Sequence, residues 1–155
     1  MASLFTAPLV AKAVVFTGTN TVGPKVTITI PKLLIVPTKG LELVSDKYGD
    51  MTFDGEILVD VLTGEYGTFT VSGEQSSPSA ENYVIGGGTM TVGGSDIGNV
   101  TNVVLTPEIK TIKHMTYRFG EKMVDQVSVQ ERGGKISFTA DEWTTANLSL
   151  YFLGE

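Results

Sequence analysis

The sequence predicts a mainly β protein, an antiparallel β-sandwich or partial barrel with one flanking α-helix. Short stretches in which Val, Ile and aromatic residues alternate with polar residues recur along most of the chain, and Gly, Pro, Asp or Asn separate most of them. Charged residues make up only 18% of the chain, and 18 glycines supply turn positions. Many short, half-polar strands favour a sandwich or a barrel.

Two stretches show the strand pattern most clearly. In "VTITI" at 26–30, Val and Ile alternate with Thr, and in "MVDQVSVQE" at 123–131, Val alternates with Gln and Ser. "ERGGK" at 131–135 is predicted to be a hairpin turn. The predicted strands are 9–16, 26–36, 41–45, 51–62, 66–73, 83–92, 98–106, 109–115, 123–131 and 135–139.

The 155 residues are expected to form a single domain, which is long enough for a substantial core. The clearest break in composition is "SGEQSSPSAEN", which contains no large apolar residue. We divide the chain into a first half (1–73), a linker-like loop (74–82) and a second half (83–155). Neither half is large enough to build an adequate core alone.

One helix is predicted over 141–153. Thr139 and Glu142 in "TADE" match a capping box, and Gly154 is expected to end the helix. Trp143, Ala146, Leu150 and Leu153 follow at helical spacing. We predict that Trp143, Leu150 and Leu153 anchor the helix in the core or in a contact between subunits.

The stretch "MTFDGEILVDV" at 51–61 separates into two unlike faces when it is read as a strand. One face carries Phe53, Ile57, Val59 and Val61, which we expect to be buried. The other face carries the carboxylates Asp54, Glu56 and Asp60. Like charges on one strand face repel, so this acidic row is not expected to stabilise the fold. Alternating acids of this kind are most often the solvated face of an antiparallel sheet.

Charge and composition argue against several classes of function. The net charge is −6, and the 11 Lys and Arg residues are scattered, which disfavours a nucleic-acid-binding protein. The chain has no Cys and a single His, His114, without a nucleophile motif. We therefore expect no catalytic residues, no cofactor and no metal site. No signal peptide is recognised at the N-terminus, and no apolar run is long enough to span a bilayer.

Two blocks resemble the major tail tube proteins of long-tailed bacteriophages. The first runs from "ENYVIGGGTMTV" to "SLYFLG" (81–154) and includes "GN" at 98–99, "PEIKTIKHMTYRFG" and "DQVSVQERGGKISFTADEWTTANLSLYFLG". The second is "GPKVTITIPKLLIVPTKGLELVSDKYGDMTFDGEILVD" at 23–60. In that family the block that ends in the capped helix normally comes first. Here it comes second, which resembles a circular permutation.

The resemblance implies a tail tube fold in which six copies close into a ring and rings stack into a tube, the conduit for DNA ejection. The implied partners are other copies of the chain, further tail proteins at the tube ends, and genomic DNA that passes without specific binding. The implied location is the virion tail, assembled in the host cytoplasm without a membrane. A ring subunit of a contractile secretion or injection tube and a monomeric β-sandwich binding module are the alternatives.

The resemblance also gives two groups of residues an expected role. Asp54, Glu56 and Asp60 would line the pore, where carboxylates repel DNA phosphates; the alternative is an outer solvated face. The segment "YRFGEK" would be a loop between strands that orders against a neighbouring subunit. Its members are Tyr117, Arg118, Phe119, Gly120, Glu121 and Lys122.

Overall fold

The computed structural model describes residues 7–43, 49–73, 79–80, 86–118 and 120–153. As predicted, the protein is mainly β and antiparallel, with one short helix. The elements are β1 (Lys12–Gly18), β2 (Lys25–Pro37), β3 (Met51–Ile57), β4 (Thr68–Ser72), β5 (Gly88–Val92), β6 (Ser95–Asp96), β7 (Val100–Thr116), β8 (Met123–Ala140) and α1 (Thr145–Tyr151).

The strands form one curled sheet in the order β6-β5-β1-β2-β3-β8-β7. The long strand β2 pairs with β1 along one edge. Along its other edge it pairs first with β4, through residues 25–29, and then with β3, through residues 33–37. Strand β5 approaches β7, so the sheet bends toward a partial barrel around the core.

The apolar core formed by the described residues draws on both halves of the chain. Phe53 of β3 stacks on its direct cross-strand neighbour Phe138 of β8, with ring centroids 5.0 Å apart. Tyr151 of α1 meets Phe53 edge-on at 5.8 Å, which is a favourable geometry for aromatic pairs. The Tyr151 hydroxyl donates to the carbonyl of Lys39, and this bond ties the helix to the end of β2.

The predicted strand 51–62 ends at Ile57, because the chain turns back through a bridge between Asp60 and Glu65. Phe53 is buried and Ile57 is half-buried, as expected. Val61, however, is 79% exposed and Val59 is also exposed, so the prediction that they point inward is wrong. The alternation of apolar residues continues past the strand into the turn.

Four of the predicted strands merge into two long strands in the structure. The predicted strands 98–106 and 109–115 form β7, and 123–131 and 135–139 form β8. Strands β7 and β8 pair from Val100–Ala140 to Thr116–Met123, and the register shifts at three places: between Thr101 and Val104, between Lys110 and Thr111, and between His114 and Met115. "ERGGK" is therefore not a turn: Gly133 pairs with Glu108, and Gly134 pairs with Pro107. Pro107 is tolerated in β7 because β7 lies at the edge of the sheet, where a missing N–H can face solvent. The real turn of this hairpin lies at 117–122.

The other strand boundaries also shift. Residues 41–43 of the predicted strand 41–45 are not in a strand, and the remaining two lie outside the described residues. The linker-like loop 74–82 falls outside the described residues except for 79–80, as does Gly154.

Helix α1 begins later than predicted. Its N-cap is Thr144, whose side chain accepts a hydrogen bond from the backbone N–H of Asn147. The proposed capping box is wrong: Thr139 lies in β8, and the Glu142 carboxylate instead accepts the backbone N–H of Asn99, at 2.8 Å. The face of α1 toward the core is centred on Asn147 and Tyr151 rather than on Ala146, which is exposed.

Of the three predicted anchors, Trp143 does not lie in the core, and its alternative role in a contact between subunits stays a prediction. It precedes the helix and is 42% exposed, so it is not a core residue. Its indole N–H donates to the Gly49 carbonyl at 3.2 Å, and its ring lies so close that a Cβ on Gly49 would be 2.3 Å from it. Leu150 is half-buried against the core, and Leu153 is half-buried at the end of the helix.

These placements predict that two aromatic truncations lower the free energy of unfolding by different amounts. Phe53→Ala should lower the free energy of unfolding by about 3–5 kcal/mol, because it leaves a cavity among fully packed rings. Trp143→Ala should cost only about 1–2 kcal/mol, since much of the ring is already in water. Urea unfolding followed by circular dichroism measures both. A larger loss for Trp143→Ala than for Phe53→Ala would contradict this core.

Candidate functional site

The β7–β8 hairpin extends well beyond the core. Strand β3 pairs with β8 only through residues 135–140, so the segment 108–133 projects as a two-stranded ribbon, which we call the arm. Within the described part of the chain, the arm strands pair only with each other. Both outer edges of the ribbon therefore present unpaired backbone groups.

The arm exposes apolar side chains on both of its faces. Val127 lies opposite Lys113 and Val129 lies opposite Thr111 on one face, while Ile112 lies opposite Ser128 on the other. Val127 is 55% exposed and Ile112 is 57% exposed. An isolated two-stranded hairpin is marginally stable in water, and contiguous exposed apolar residues mark interaction sites. The arm therefore has the properties of a segment that is covered by a partner.

Pairs of opposite charge link the two strands of the arm. Lys110 contacts Glu131 at 3.1 Å, and the His114 ring contacts the Asp125 carboxylate at 2.6 Å. At the base of the arm, Glu108 contacts Lys135 at 2.9 Å and raises the pKa of that ammonium. Exposed ion pairs of this kind contribute little stability, so they fix the register of the hairpin more than they hold it together.

The predicted loop 117–122 forms the turn at the tip of the arm. Gly120 has a φ of +82° and its N–H donates to the Tyr117 carbonyl, which closes the turn. Tyr117, Arg118, Glu121 and Lys122 are exposed, and Phe119 lies outside the described residues. The role of this segment in a subunit contact stays a prediction.

Two of the three predicted pore carboxylates lie together on β3. Asp54 and Glu56 are exposed on the side of the sheet opposite to Phe53. Their direct partners on β8 are Ser137 and Lys135. Glu56 therefore has a basic residue across from it, so this face is not uniformly acidic.

Asp60 is not part of this row. It lies beyond the end of β3, where its carboxylate accepts hydrogen bonds from the Lys32 ammonium at 3.1 Å and from the Leu62 backbone N–H at 3.3 Å. These bonds, the Lys32 contact first, lower the pKa of the Asp60 carboxyl. The prediction that Asp60 shares a strand face with Asp54 and Glu56 is thus wrong, because the strand ends at Ile57.

An apolar groove, which the sequence pattern did not reveal, lies at the base of the arm. It has a volume of about 160 Å³, and its lining is almost entirely apolar. Phe69 on its rim is 74% exposed. The side chains that define the groove come from β2, β3, β4 and β7 and the segment before β4: Ile28, Ile30, Ile57, Tyr66, Phe69 and Leu105.

The sequence offered a signal for the arm but hardly one for the groove. Apolar and polar residues do not alternate in "TPEIKTIKHMT". This absence of alternation is typical of a strand whose two faces have similar surroundings. The groove joins residues far apart in the chain, such as Ile30, Phe69 and Leu105, and only the sheet topology brings them together.

The described residues show no candidate metal centre. These residues contain no group of three or more His, Cys, Asp or Glu side chains placed to hold a metal ion. Their helix is too short and too polar to cross a bilayer.

Comparison of the chain with protein-family models, with curated proteins and with solved structures finds no match.

The ion pair of Asp60 predicts a pH-dependent mutant. Its pKa is lowered on folding, so the carboxylate contributes stability above its ordinary pKa of about 3.9, and this contribution is lost as the pH falls through the folded-state value. Asp60→Asn should therefore be less stable than wild type at pH 7 and approach it at low pH. Urea unfolding at pH 7, 4 and 2.5 measures the difference.

Asp50→Asn is the matched control, because Asp50 makes a longer, 3.5 Å contact with Lys39. Its effect at pH 7 should be smaller. A stability deficit of Asp60→Asn that stays constant from pH 7 to 2.5 would contradict the role of the charged carboxylate.

Proposed function

We propose that this protein is a structural subunit that assembles into hexameric rings, which stack into a bacteriophage tail tube for DNA ejection. The observation that carries the proposal is the arm, a two-stranded ribbon with apolar residues on both faces and open edges on both sides. A two-stranded ribbon that is surrounded by water is only marginally stable. Contact with another protein would remove its apolar side chains from water and so stabilise it.

The charges support a second copy of the chain as that other protein. The arm carries five of the 11 Lys and Arg residues and four of the 17 Asp and Glu residues, a net charge of +1. The rest of the chain keeps six basic and 13 acidic residues, a net charge of −7. An arm of one copy therefore meets the body of the next with favourable long-range electrostatics.

Open strand edges support a closed assembly. Strand β7 has β8 on one side only, and the exposed strand β4 pairs only with β2 among the described residues. Exposed edges invite pairing with other chains, and a ring makes use of them by closing the sheet on itself.

The resemblance to tail tube proteins with permuted halves has a supporting contact. The backbone N–H of Ala7 donates to the Leu153 carbonyl at 2.8 Å, so segments near the two ends of the chain lie side by side. A circular permutation requires such proximity, because the ends must be joined in one form of the fold and open in the other.

Removal of the arm tests the assembly. In the variant, residues 108–133 are replaced by an Asn-Gly turn, which suits a two-residue hairpin. The buried apolar core lies outside this segment, so the variant should keep the circular dichroism spectrum and cooperative unfolding of the wild type. It should nevertheless be monomeric by light scattering, whereas the wild type should form rings or tubes in negative-stain micrographs.

Two results would overturn the proposal. One is a wild-type protein that remains monomeric at high concentration, as a β-sandwich binding module would. The other is an arm-less variant that assembles as the wild type does.

We further propose that Asp54 and Glu56 face the lumen of the tube. Both are exposed on a regular strand, and carboxylates on a pore wall repel phosphates. In a cryo-EM map of assembled tubes the two side chains should point toward the axis. Tubes that carry Asp54→Lys and Glu56→Lys should retain short DNA at low salt, and wild-type tubes should not. Side chains on the outer surface would contradict the lumen role alone.

A further inference from the structure

We propose that the apolar groove at the base of the arm is the receiving site for the arm of a second copy of this chain. The face of the arm that carries Val127 and Val129 would lie over Phe69 and Leu105 of the neighbour. This inference rests on the proposed self-assembly and adds to it the two surfaces that meet.

The groove fits side chains from a protein better than it fits a small molecule. Its volume of about 160 Å³ is below the roughly 300–1,000 Å³ of typical ligand pockets. It also lacks the convergent polar groups that orient a bound molecule in such pockets. Phe69 stands largely in water on a strand that is exposed throughout. A covering layer of aliphatic side chains would remove this ring from water at little cost in polar contacts.

The arm of the same chain cannot supply that layer. Leu105 forms one wall of the groove, and the partner of Val127 on β7 is Lys113, eight residues farther along the same strand. At about 3.3 Å per residue, Val127 lies roughly 25 Å from this wall. The apolar face of the arm therefore reaches a groove only on another copy.

The arm face and the groove have charges of opposite sign beside them. On the arm, Lys113 lies directly opposite Val127, so a positive charge accompanies the apolar face. On the body, the groove residues Ile57 and Tyr66 flank the acidic turn in which Asp60 bridges to Glu65. Asp60 is already paired with Lys32, which leaves Glu65 as the neighbouring carboxylate for Lys113.

A contact between the arm of one copy and the groove of the next joins two different surfaces. Heterologous contacts of this kind generate closed rings when the rotation between copies closes. The same contact made by every copy in turn would link the copies in one direction around a ring.

Directed cross-linking tests the contact, since the chain contains no Cys of its own. Phe69→Cys protein is mixed with Val127→Cys protein and oxidised; both positions are exposed, so the substitutions should leave the fold intact. We expect a covalent dimer that joins residue 69 of one chain to residue 127 of the other, identified by mass spectrometry. The control mixes Val127→Cys with Ser95→Cys, an exposed position on β6 at the opposite end of the sheet order.

A yield from Phe69→Cys no higher than that from Ser95→Cys would overturn the proposal. A second variant, Phe69→Ser, removes the ring without a cysteine and should raise the concentration needed for assembly about tenfold or more. Normal rings of Phe69→Ser protein would overturn the groove contact and leave the self-assembly standing. A wild-type protein that never assembles would overturn both.

Discussion

The arrangement of this protein depends on strand β8 being paired on both sides over only one part of its length. Between residues 135 and 140 it lies between β3 and β7, and its inward side chains Ile136, Phe138 and Ala140 are buried. The stack of Phe138 on Phe53 fixes this part to the helix through Tyr151. Residues 135–140 are thus held by the packing of their inward side chains and by backbone hydrogen bonds to both β3 and β7. The rest of the hairpin extends outward from this fixed segment.

The same strand thus divides between two energetic regimes. At its root, stability comes from apolar burial within the chain. Along the arm, the chain's own contacts are backbone pairing and exposed ion pairs, neither of which offsets the exposure of Ile112, Val127 and Val129. In the assembly that we propose, the body would fold first, and the contact between copies would then bury the apolar side chains that the arm exposes.

The sequence predicted the fold class because alternation of apolar and polar residues reports directly on half-buried strands. It placed Phe53 inside and Asp54 and Glu56 outside correctly, since these lie on a regular strand. It failed at Val61, where the same alternation runs on into a turn, and at "ERGGK", where two glycines lie inside a strand. Local patterns do not show where pairing ends, because that depends on which strands become neighbours.

The helix shows the same limit. Trp143 fits the helical spacing, but the helix is capped by Thr144, which accepts the backbone N–H of Asn147, so it begins two residues after Trp143. The sequence pattern gave even less indication of the groove than of the start of the helix. Its walls come from four strands and the segment before β4, and an exposed Phe69 in the sequence looks no different from a buried one.

Pro107 limits how other strands can pair with the free edge of the sheet. It lies in the edge strand β7, at the point where the arm leaves the body, and proline has no N–H to offer to an incoming strand. A continuous, regular edge would template the addition of any strand in many registers, which is the route to fibrous aggregates. The N–H that Pro107 lacks interrupts the row of backbone hydrogen-bond donors along this edge. Strand addition is thereby discouraged at the root of the arm, and the outer part of the arm stays open for the contact that we propose.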